Sequence, residues 1–364
     1  MPTDIHAGDD DRKIGESEGF RNRMTFSVLS IIICTKNRRN DLAITLQSVF
    51  LQSHLPDSVI IIDDSVTQDT EDLIRECSAT VPIRLVYIRS DKPHSGLPAA
   101  RNTGIRNLPA ATEIVLFLDD DVTLEKTYLE SMLSVFRTHP EITGCTGHIT
   151  NDYSTRPAYE KFLLWIIGTI NPVLVPASLV HPSVTWTGEA LSPLFPKPER
   201  KHTRAEWLSG SNMAYRGNVF SDGHFFDEHL TRYALGEDLL FSHLLFREGK
   251  DLSLVYTARL VHRVSSGDRI PSLSRFVMTI GYRRYVLKKF FGQTHRSDFA
   301  FPLFVVQFIS AAFILSLKQS GNLQYWKEAL KGYYTARRLI HTSADGDLGK
   351  INEFCSLYHQ ETKG

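Results

Sequence analysis

Two groups of acidic residues in this chain have the type and position for metal chemistry. The segment Asp119–Asp121 follows an apolar run of strand length, and Asp63 with Asp64 follows another such run. Consecutive carboxylates repel one another, so they are unfavourable at the end of a buried strand unless a cation or several donors offset the charge. Mg²⁺ or Mn²⁺ is the simplest offset, since these cations take oxygen ligands and commonly bridge substrate phosphates. The alternative is a solvated acidic turn before the next helix.

A third acidic pair, Glu237 and Asp238, opens the apolar, helix-period segment GEDLLFSHLLFREG. Carboxylates in a first helical turn can simply complement the positive end of the helix dipole. A carboxylate in that position can also take a proton from an attacking hydroxyl group. His262 in VHRVSS is a further candidate. Imidazole is a borderline ligand for Mn²⁺ and a poor one for Mg²⁺, so a structural role stays open for it.

The elements that must position these groups alternate along residues 28–149. Strands are predicted over 28–34, 59–62, 85–88, 114–118 and 142–149, with helices over 40–50, 69–77, 99–106 and 126–136. This alternation predicts an α/β fold, with an open, mostly parallel sheet and helices on both faces. Ligands bind at the carboxyl ends of the strands in such sheets. The acidic groups and the segment Thr35–Arg38 after the first strand are therefore expected to converge on one crevice.

The composition excludes several classes of protein. The chain has 364 residues, of which 42% are hydrophobic and 23% charged, so disorder is excluded for most of it. The 41 basic residues balance 41 acidic ones, which removes the general attraction for nucleic acids. The four cysteines are far apart and predict neither a zinc site nor a disulfide framework. Residues 1–25 are polar, without the apolar stretch of a secretory signal, and are predicted to be a loose cytoplasmic tail.

Two segments near the C-terminus suggest contact with a membrane. Residues 299–317 carry no charge and would reach about 28 Å as a helix. The preceding SLSRFVMTIGYRRYVLKKFFG mixes basic and apolar residues, which predicts an amphipathic helix on an anionic membrane surface. Residues 162–180 are also uncharged, but Gly and Pro residues there favour a buried or interfacial segment. Residues 299–317 could span the bilayer, lie in its interface, form an oligomer contact, or be a core helix.

Six segments together resemble the family 2 inverting glycosyltransferases, which have the GT-A fold. In the family's order they are SIIICTKNR (Ser30–Arg38), VIIIDDS (Val59–Ser65), LPAARNTGI (Leu97–Ile105), FLDDDV (Phe117–Val122), WLSGSNMAYR (Trp207–Arg216) and GEDLLFSHLL (Gly236–Leu245). The resemblance covers residues 28 to about 264. The last third is similar to the membrane-proximal tails of members that build surface polysaccharides and glycolipids.

The resemblance implies a set of residues for the nucleotide sugar. Those at the nucleotide pocket, near the donor or beside the sugar are Thr35, Asn37, Arg38, Asp64, Arg101, Asn102, Gly210, Ser211 and Asn212. Asp64 would accept hydrogen bonds from the base, which a carboxylate can do for uracil or guanine. Asp119 and Asp121 match the outer positions of the family's D-x-D, with Asp119 toward the ribose and the metal and Asp121 as the direct metal ligand. Asp120 occupies the variable middle position.

The resemblance also implies the residues of the acceptor side. Asp238 matches the family's catalytic base, and Glu237 would help to place the acceptor or the helix start. Trp207 is either a core residue or a stacking platform for an acceptor sugar. His262 is similar to a late histidine that ligates the metal in some GT-A enzymes.

These observations predict a metal-dependent inverting glycosyltransferase using Mn²⁺ or Mg²⁺. It would move a sugar from a UDP-, GDP- or dTDP-linked donor to a saccharide or lipid-linked acceptor at the cytoplasmic membrane face. The expected domains are a GT-A domain over 26–265, with halves 26–125 and 126–265, and a helical membrane-associating region over 266–364. A nucleotidyltransferase would need a Gly-rich phosphate loop where this chain has TKNRRN. A catalytically silent binding scaffold would not need Asp119, Asp121 and Asp238 together.

Overall fold

The fold is described from a computed structural model of the chain. The structure describes residues 28–90, 96–151, 181–193, 199–265, 272–292, 294–319, 323–343 and 347–361. The predicted tail over 1–25 and the uncharged segment over 162–180 lie outside these residues.

The described elements alternate as expected in the first half of the chain and become helical after residue 272. The strands are β1 (Leu29–Thr35), β2 (Ser58–Asp63), β3 (Arg84–Arg89), β4 (Ile114–Asp119), β5 (Val122–Leu124), β6 (Ile142–Ile149), β7 (Ser183–Val184), β8 (Ala190–Leu191), β9 (His202–Ala205), β10 (Asn212–Arg216) and β11 (Asp251–His262). The helices are α1 (Arg39–Phe50), α2 (Asp69–Ser78), α3 (Leu97–Arg106), α4 (Tyr128–Thr138), α5 (Asn218–Ser221), α6 (Glu237–Arg247), α7 (Ser272–Phe291), α8 (His295–Gln319), α9 (Gln324–Thr342) and α10 (Gly349–Glu361).

A nine-stranded sheet forms the centre of the first 265 residues, in the order β3-β2-β1-β4-β10-β6-β11-β5 with β9 beside β11. Strands β1 to β4 are mutually parallel, and β10 runs antiparallel between β4 and β6. The prediction of an open, mostly parallel α/β sheet is confirmed.

Both faces of this sheet are covered, which explains the continuous apolar strands in the sequence. Ile31 and Ile33 of β1 pack in a cluster with α1, α2 and α4, whereas Ile32 between them packs with α3 and α6 on the opposite face. Successive side chains of a strand point to opposite faces, so one β-branched run supplies both layers.

The strand register brings the polar strand ends together. Cys34 near the end of β1 pairs with Asp119 of β4, and Thr35 pairs with Asp63 of β2. The long strand β11 pairs antiparallel with β5, and this places His262 opposite Val122. One edge of the sheet therefore holds the ends of β1, β2, β4 and β11.

The helical region after residue 272 is built around α7, which corrects one prediction. The expectation that this helix lies on a membrane surface is wrong, because its apolar side chains are buried against α8, α9 and α10. Arg283, one of its basic residues, stacks on the ring of Phe304 at 4.8 Å, and burial lowers the pKa of its guanidinium group. Basic residues beside apolar ones thus mark a core helix here.

Helix α8 has one face on this core and another that is uncovered. Phe304 and Ala312 are buried, whereas Phe299 and Val306 are 62% and 63% exposed. Over His295–Leu317 the helix is long and apolar enough to cross a membrane, and 28% of its most apolar stretch is buried in the protein. Core helices and signal sequences can meet the same criteria of length and composition, so this finding supports membrane contact only weakly.

Candidate functional site

A crevice of about 430 Å³ opens at the carboxyl edge of the sheet. Its walls come from the ends of β1, β2 and β4, from the N-terminal part of α3, from the 209–211 segment before β10, and from the start of α6. Of the predicted site residues, Thr35, Arg38, Asp64, Arg101, Asp119, Asp120, Gly210, Ser211, Glu237, Asp238 and His262 line it.

The three consecutive aspartates have different environments. Asp120 is buried, where it accepts hydrogen bonds from Thr35 Oγ1 at 2.7 Å and from Arg38 Nη1 at 3.1 Å. Burial raises the pKa of Asp120 to about 6, although these two partners oppose the change. The Asp119 side chain is 31% exposed, and its Oδ1 lies 3.5 Å from Arg101 Nη2. Asp120 is therefore held by the loop after β1, while Asp119 remains available to a ligand.

Asp121 is paired with the histidine that ends β11. His262 Nε2 lies 2.9 Å from Asp121 Oδ1, and the Ser265 amide donates to Oδ2 at 2.8 Å. Burial alone would raise the pKa of Asp121, but the contacts with His262 and Ser265 outweigh it and hold the pKa below its usual value. One ligand atom from each of Asp119, Asp121 and His262 lies within 4.8 Å of the others. Two carboxylates and an imidazole in this arrangement fit a divalent cation, and the imidazole favours Mn²⁺ over Mg²⁺.

Of the two aspartates at the end of β2, only Asp64 lines the crevice. Asp64 lines it, with Lys36 Nζ at 3.1 Å. Asp63 is buried and accepts hydrogen bonds from the Ser65 amide and the Tyr87 hydroxyl, both at 2.9 Å. Asp63 therefore fixes the turn that presents Asp64.

Arg101 is the central cation of the crevice wall and is only 2% exposed. It forms an ion pair with Glu237 and donates to the Gly210 carbonyl at 2.8 Å. Burial raises the pKa of Glu237 to about 8, with Arg101 opposing the change. Arg101 thus joins α3, the loop before β10 and the start of α6 through one guanidinium group.

Asp238 lies at the second position of α6, and the 209–211 segment passes close to it. Its Oδ2 accepts from the Gly210 amide at 2.9 Å, and its Oδ1 accepts from the Leu239 amide at 2.8 Å. A Cβ atom on Gly210 would lie 3.1 Å from Asp238 Oδ2 and 3.3 Å from Arg101 Nη2, which leaves little room for a side chain. A carboxylate has about four acceptor positions, so the two amides leave capacity for a substrate hydroxyl.

Asn102 and Asn212 are not among the residues that line the described crevice, and their predicted place near the donor stays a prediction. Asn102 is buried beneath the segment around Phe226, accepting from its amide and donating to its carbonyl, both at 2.9 Å. Asn212 is buried between β10 and β6, where its side-chain oxygen accepts from the Gly147 amide at 2.5 Å and the Tyr128 hydroxyl at 3.1 Å. Both amides satisfy buried backbone groups, a role that their position in a motif does not reveal.

Asn37 and Trp207 also lie away from the described crevice lining. The Asn37 side-chain oxygen accepts from the Val66 amide at 3.3 Å and its own amide donates to Ser65 Oγ at 2.7 Å, so it ties the β1 loop to the β2 loop. Trp207 packs at the edge of the helical core and donates to the Leu191 carbonyl at 3.2 Å. Of its two predicted roles, the core role matches these contacts.

The sequence motifs did not indicate that the segment before α6 contributes to the crevice. Arg232, Tyr233 and Ala234 line the crevice, and the Tyr233 hydroxyl accepts from Arg38 Nη2 at 3.2 Å. Gly96 lies against this segment with a φ of +100°, and a Cβ there would be 2.4 Å from the Arg232 nitrogen. The glycine before the LPAARN motif is the one sequence signal that could have indicated this close approach.

Comparison with known proteins gives one family. Residues 30–184 match the model of glycosyl transferase family 2. Over 260 residues the chain is 27% identical to a chondroitin synthase of Escherichia coli, covering 68% of this chain and 36% of that protein. Over 251 residues it is 27% identical to a hyaluronan synthase of Pasteurella multocida, covering 66% of this chain and 25% of that protein. The chain thus spans about a third or less of these relatives.

Two solved structures share the fold. One is GalNAc-T7 with UDP, GalNAc and Mn²⁺, with a TM-score of 0.55, 15% identity, and coverage of 86% of this chain and 55% of that one. The other is Staphylococcus aureus TarS 1-349 with UDP-GlcNAc, with a TM-score of 0.51, 16% identity, and coverage of 92% of both chains. At this identity the likeness concerns the fold alone, and it agrees with the GT-A fold that the sequence resemblance implied.

Proposed function

Because residues 30–184 match the model of glycosyl transferase family 2, we propose that the chain transfers a sugar from a nucleotide diphosphate donor to a saccharide or lipid-linked acceptor, with inversion at the anomeric carbon. The main supporting observation is that Asp64, Asp119, His262 and Asp238 line one crevice, with Asp121 grouped beside Asp119 and His262. These are the three functions that such a transfer needs: a group for the base, a group for the diphosphate, and a proton acceptor.

The donor would lie along the carboxyl ends of β1, β2 and β4. Asp64 at one end accepts a ring N–H of the base, and Lys36 beside it, at 3.1 Å, keeps the carboxylate paired when no nucleotide is bound. At the other end, Asp119, Asp121 and His262 would hold a divalent cation. That cation would supply positive charge to the departing diphosphate, so no protein acid is required.

Asp238 would act as the base for the acceptor hydroxyl. The Gly210 and Leu239 amides fix its two oxygens, so the carboxylate is oriented before an acceptor arrives. The hydroxyl proton would pass to Asp238 as the hydroxyl oxygen attacks the anomeric carbon from the face opposite the nucleotide. Glu237 is paired inside the wall with Arg101, so we assign it the placement of α6 and of the 209–211 segment.

The relatives suggest the class of acceptor. A chondroitin synthase and a hyaluronan synthase are named for saccharide polymers. We therefore propose that the acceptor is a growing saccharide of a cell-surface polysaccharide or glycolipid. The uncovered apolar face of α8 supports a site of action at a membrane, on the cytoplasmic side where nucleotide sugars are made.

The testing experiment begins with thermal unfolding in the presence of UDP, GDP or dTDP, each with Mn²⁺, Mg²⁺ or a chelator. Ligands that bind only the folded state raise its stability. We expect one nucleotide to stabilise the protein with metal and to lose this effect with the chelator. The sugar donors of that nucleotide are then tested for transfer to chondroitin- and hyaluronan-type oligosaccharides, and NMR of the product reports the anomeric configuration.

Two results would contradict the proposal. Retention of the anomeric configuration would exclude a single displacement with Asp238 as base. Tight, metal-dependent nucleotide binding without transfer or donor hydrolysis, for any sugar tried, would favour the catalytically silent scaffold instead.

A further inference from the structure

Two histidine side chains lie close together beside strand β9, at an edge of the sheet. His139 directly follows α4, and His202 is the first residue of β9. Their Nε2 atoms are 3.1 Å apart and their ring centroids are 4.4 Å apart. None of the residues in the crevice contributes to this pair.

The partner of each Nδ1 atom determines where the imidazole hydrogens lie. His139 Nδ1 is 3.0 Å from Glu141 Oε1, and a carboxylate can only accept, so His139 carries its hydrogen on Nδ1. The Ser253 hydroxyl donates to the Thr203 carbonyl at 2.8 Å, and it has only one hydrogen. The Ser253 oxygen therefore accepts from His202 Nδ1 at 3.1 Å, and His202 also carries its hydrogen on Nδ1.

In the neutral forms, both Nε2 atoms then present a lone pair toward the other ring. Two lone pairs at 3.1 Å repel each other unless a cation lies between or beside them. Imidazoles that ligate a metal through one nitrogen usually donate from the other nitrogen to a carboxylate or another oxygen. Glu141 and Ser253 are such outer partners.

We propose that His139 and His202 bind a divalent transition-metal ion of the zinc class through their Nε2 atoms. Zinc–nitrogen bonds of about 2.0–2.1 Å in tetrahedral geometry place two ligand nitrogens about 3.3 Å apart, close to the distance observed here. Imidazole ligands suit Zn²⁺, Cu²⁺ and Ni²⁺ better than Mg²⁺. The site is therefore chemically different from the carboxylate-rich group of the crevice.

The proposed ion would link the start of strand β9 to the residue that follows α4. His139 is fixed, since its carbonyl accepts from Arg216 Nη2 at 3.2 Å and from the Ile142 amide at 3.1 Å. Strand β9 ends at Ala205 and leads directly into the segment that carries Gly210 to the crevice. A metal at this position would stabilise the entry to that segment, with two coordination positions left for water or an added ligand.

The test is a calorimetric titration of the full chain with Zn²⁺, in an Asp121→Asn background that removes a ligand from the crevice group. We expect one zinc equivalent for the parent and at least a tenfold loss of affinity in His139→Gln and in His202→Gln. The matched control is His224→Gln, which removes a histidine that pairs with Glu248 and a backbone carbonyl among the described residues and should leave zinc binding unchanged.

Two further measurements keep the test decisive if a variant fails to fold. Glu141→Gln, at an exposed position, should weaken zinc binding about tenfold, because an outer partner tunes the ligand. In the unmutated chain with ¹⁵N-labelled histidine, Zn²⁺ should shift the Nε2 resonances of two residues more than their Nδ1 resonances. Zinc affinity that is equal in the parent and in both histidine variants would overturn the proposal. So would the absence of binding below about 1 mM Zn²⁺.

Discussion

The described residues up to 265 form the sheet and its crevice, here called the crevice half, and those from 272 onward form the helical region. The two halves use buried charge in different ways. In the crevice, Arg101 contacts two carboxylates and a carbonyl, and Asp120 lies between Thr35 and Arg38. In the helical region, the buried Arg283 packs on the ring of Phe304. The crevice is therefore held by hydrogen-bonded ion pairs, and the helical core mainly by apolar and aromatic contacts.

Because of this difference, substitutions have different consequences in the two halves. A buried ion pair fails when one partner is removed, since the other charge remains without compensation. An apolar face tolerates substitutions that keep its volume but loses a binding surface when it becomes polar. Mutations in the two halves should therefore affect different measurements.

The largest expected effect is on catalysis in the crevice half. Asp238→Asn removes the proposed proton acceptor and should lower the transfer rate by about 10²–10⁴-fold. Because its amide contacts do not involve the nucleotide, the affinity for nucleotide and metal should stay within about twofold. Parallel turnover and nucleotide-binding measurements check this. Asp238→Asn protein with most of its turnover would show that another group is the base.

The next effect is on stability. Arg101→Ala leaves Glu237 and Asp119 without their buried cation and should lower the free energy of unfolding by about 3–5 kcal/mol. The matched control is Arg106→Ala on the same helix, which breaks an exposed pair with Glu228. That change should cost at most about 1 kcal/mol. Urea unfolding of both variants measures the difference, and equal losses would contradict the central role of Arg101.

The third effect separates two neighbouring aspartates. Asp121→Asn should remove the metal dependence of nucleotide binding and weaken nucleotide binding about 10–100-fold in Mn²⁺, because the variant lacks a proposed direct ligand. Asp120→Asn should keep the metal dependence while reducing stability, since Asp120 bonds to Thr35 and Arg38. Isothermal titration with and without a chelator checks both. Metal-dependent binding that survives in Asp121→Asn would exclude Asp121 as a ligand.

The helical region should show its effect only with membranes present. Replacing Phe299, Val306 and Ile314 by serine makes the uncovered face of α8 polar and should reduce binding to anionic lipid vesicles by about tenfold or more. Transfer to a soluble oligosaccharide should change by less than about twofold, because these exposed side chains lie outside the catalytic core.

The control for that experiment comes from the other half. Ile44, Leu51 and Val66 are also exposed but belong to the crevice half. Their replacement by serine should leave vesicle sedimentation unchanged. If both triple variants lose binding equally, general hydrophobicity rather than the α8 face is responsible.

A further effect is a change in the pH dependence of stability. Burial raises the folded-state pKa of Glu237 to about 8 against an ordinary value of 4.5, so the folded protein holds a proton at this site below about pH 8, and the ion pair with Arg101 is fully charged only above that pH. Its contribution to stability is complete below about pH 4.5 and is lost as the pH rises through 8. Glu237→Gln should flatten the decline of unfolding free energy over this interval. An unchanged slope would show that Glu237 is ionised throughout.

Much of the fold could be predicted because a strand that is buried on both faces has a nearly continuous apolar sequence. The runs that form β1, β2 and β4 are apolar at most of their buried positions, and their ends are polar. The helix α7 could not be assigned in this way. Its basic and apolar residues fit a membrane surface as well as a packed core, and only the presence of α8, α9 and α10 decides between them.

The same limit applies to the candidate site. Asn102 and Asn212 stand within motifs, yet their amides bond to backbone groups of distant segments. The pairing of His139 with His202 joins residues 63 positions apart, and neither lies in a recognisable motif. Motif matching locates a segment but does not say which way each side chain points.

The sequence by itself determined the α/β class and the acidic strand ends, and it carried the resemblance to the family, because hydrophobic period and residue order are local properties of the chain. Only the tertiary structure decided which carboxylates face the crevice, that Glu237 is buried against Arg101, and that His262 reaches Asp121. These outcomes depend on strand register and on contacts between distant segments, which set desolvation and hydrogen-bond partners residue by residue.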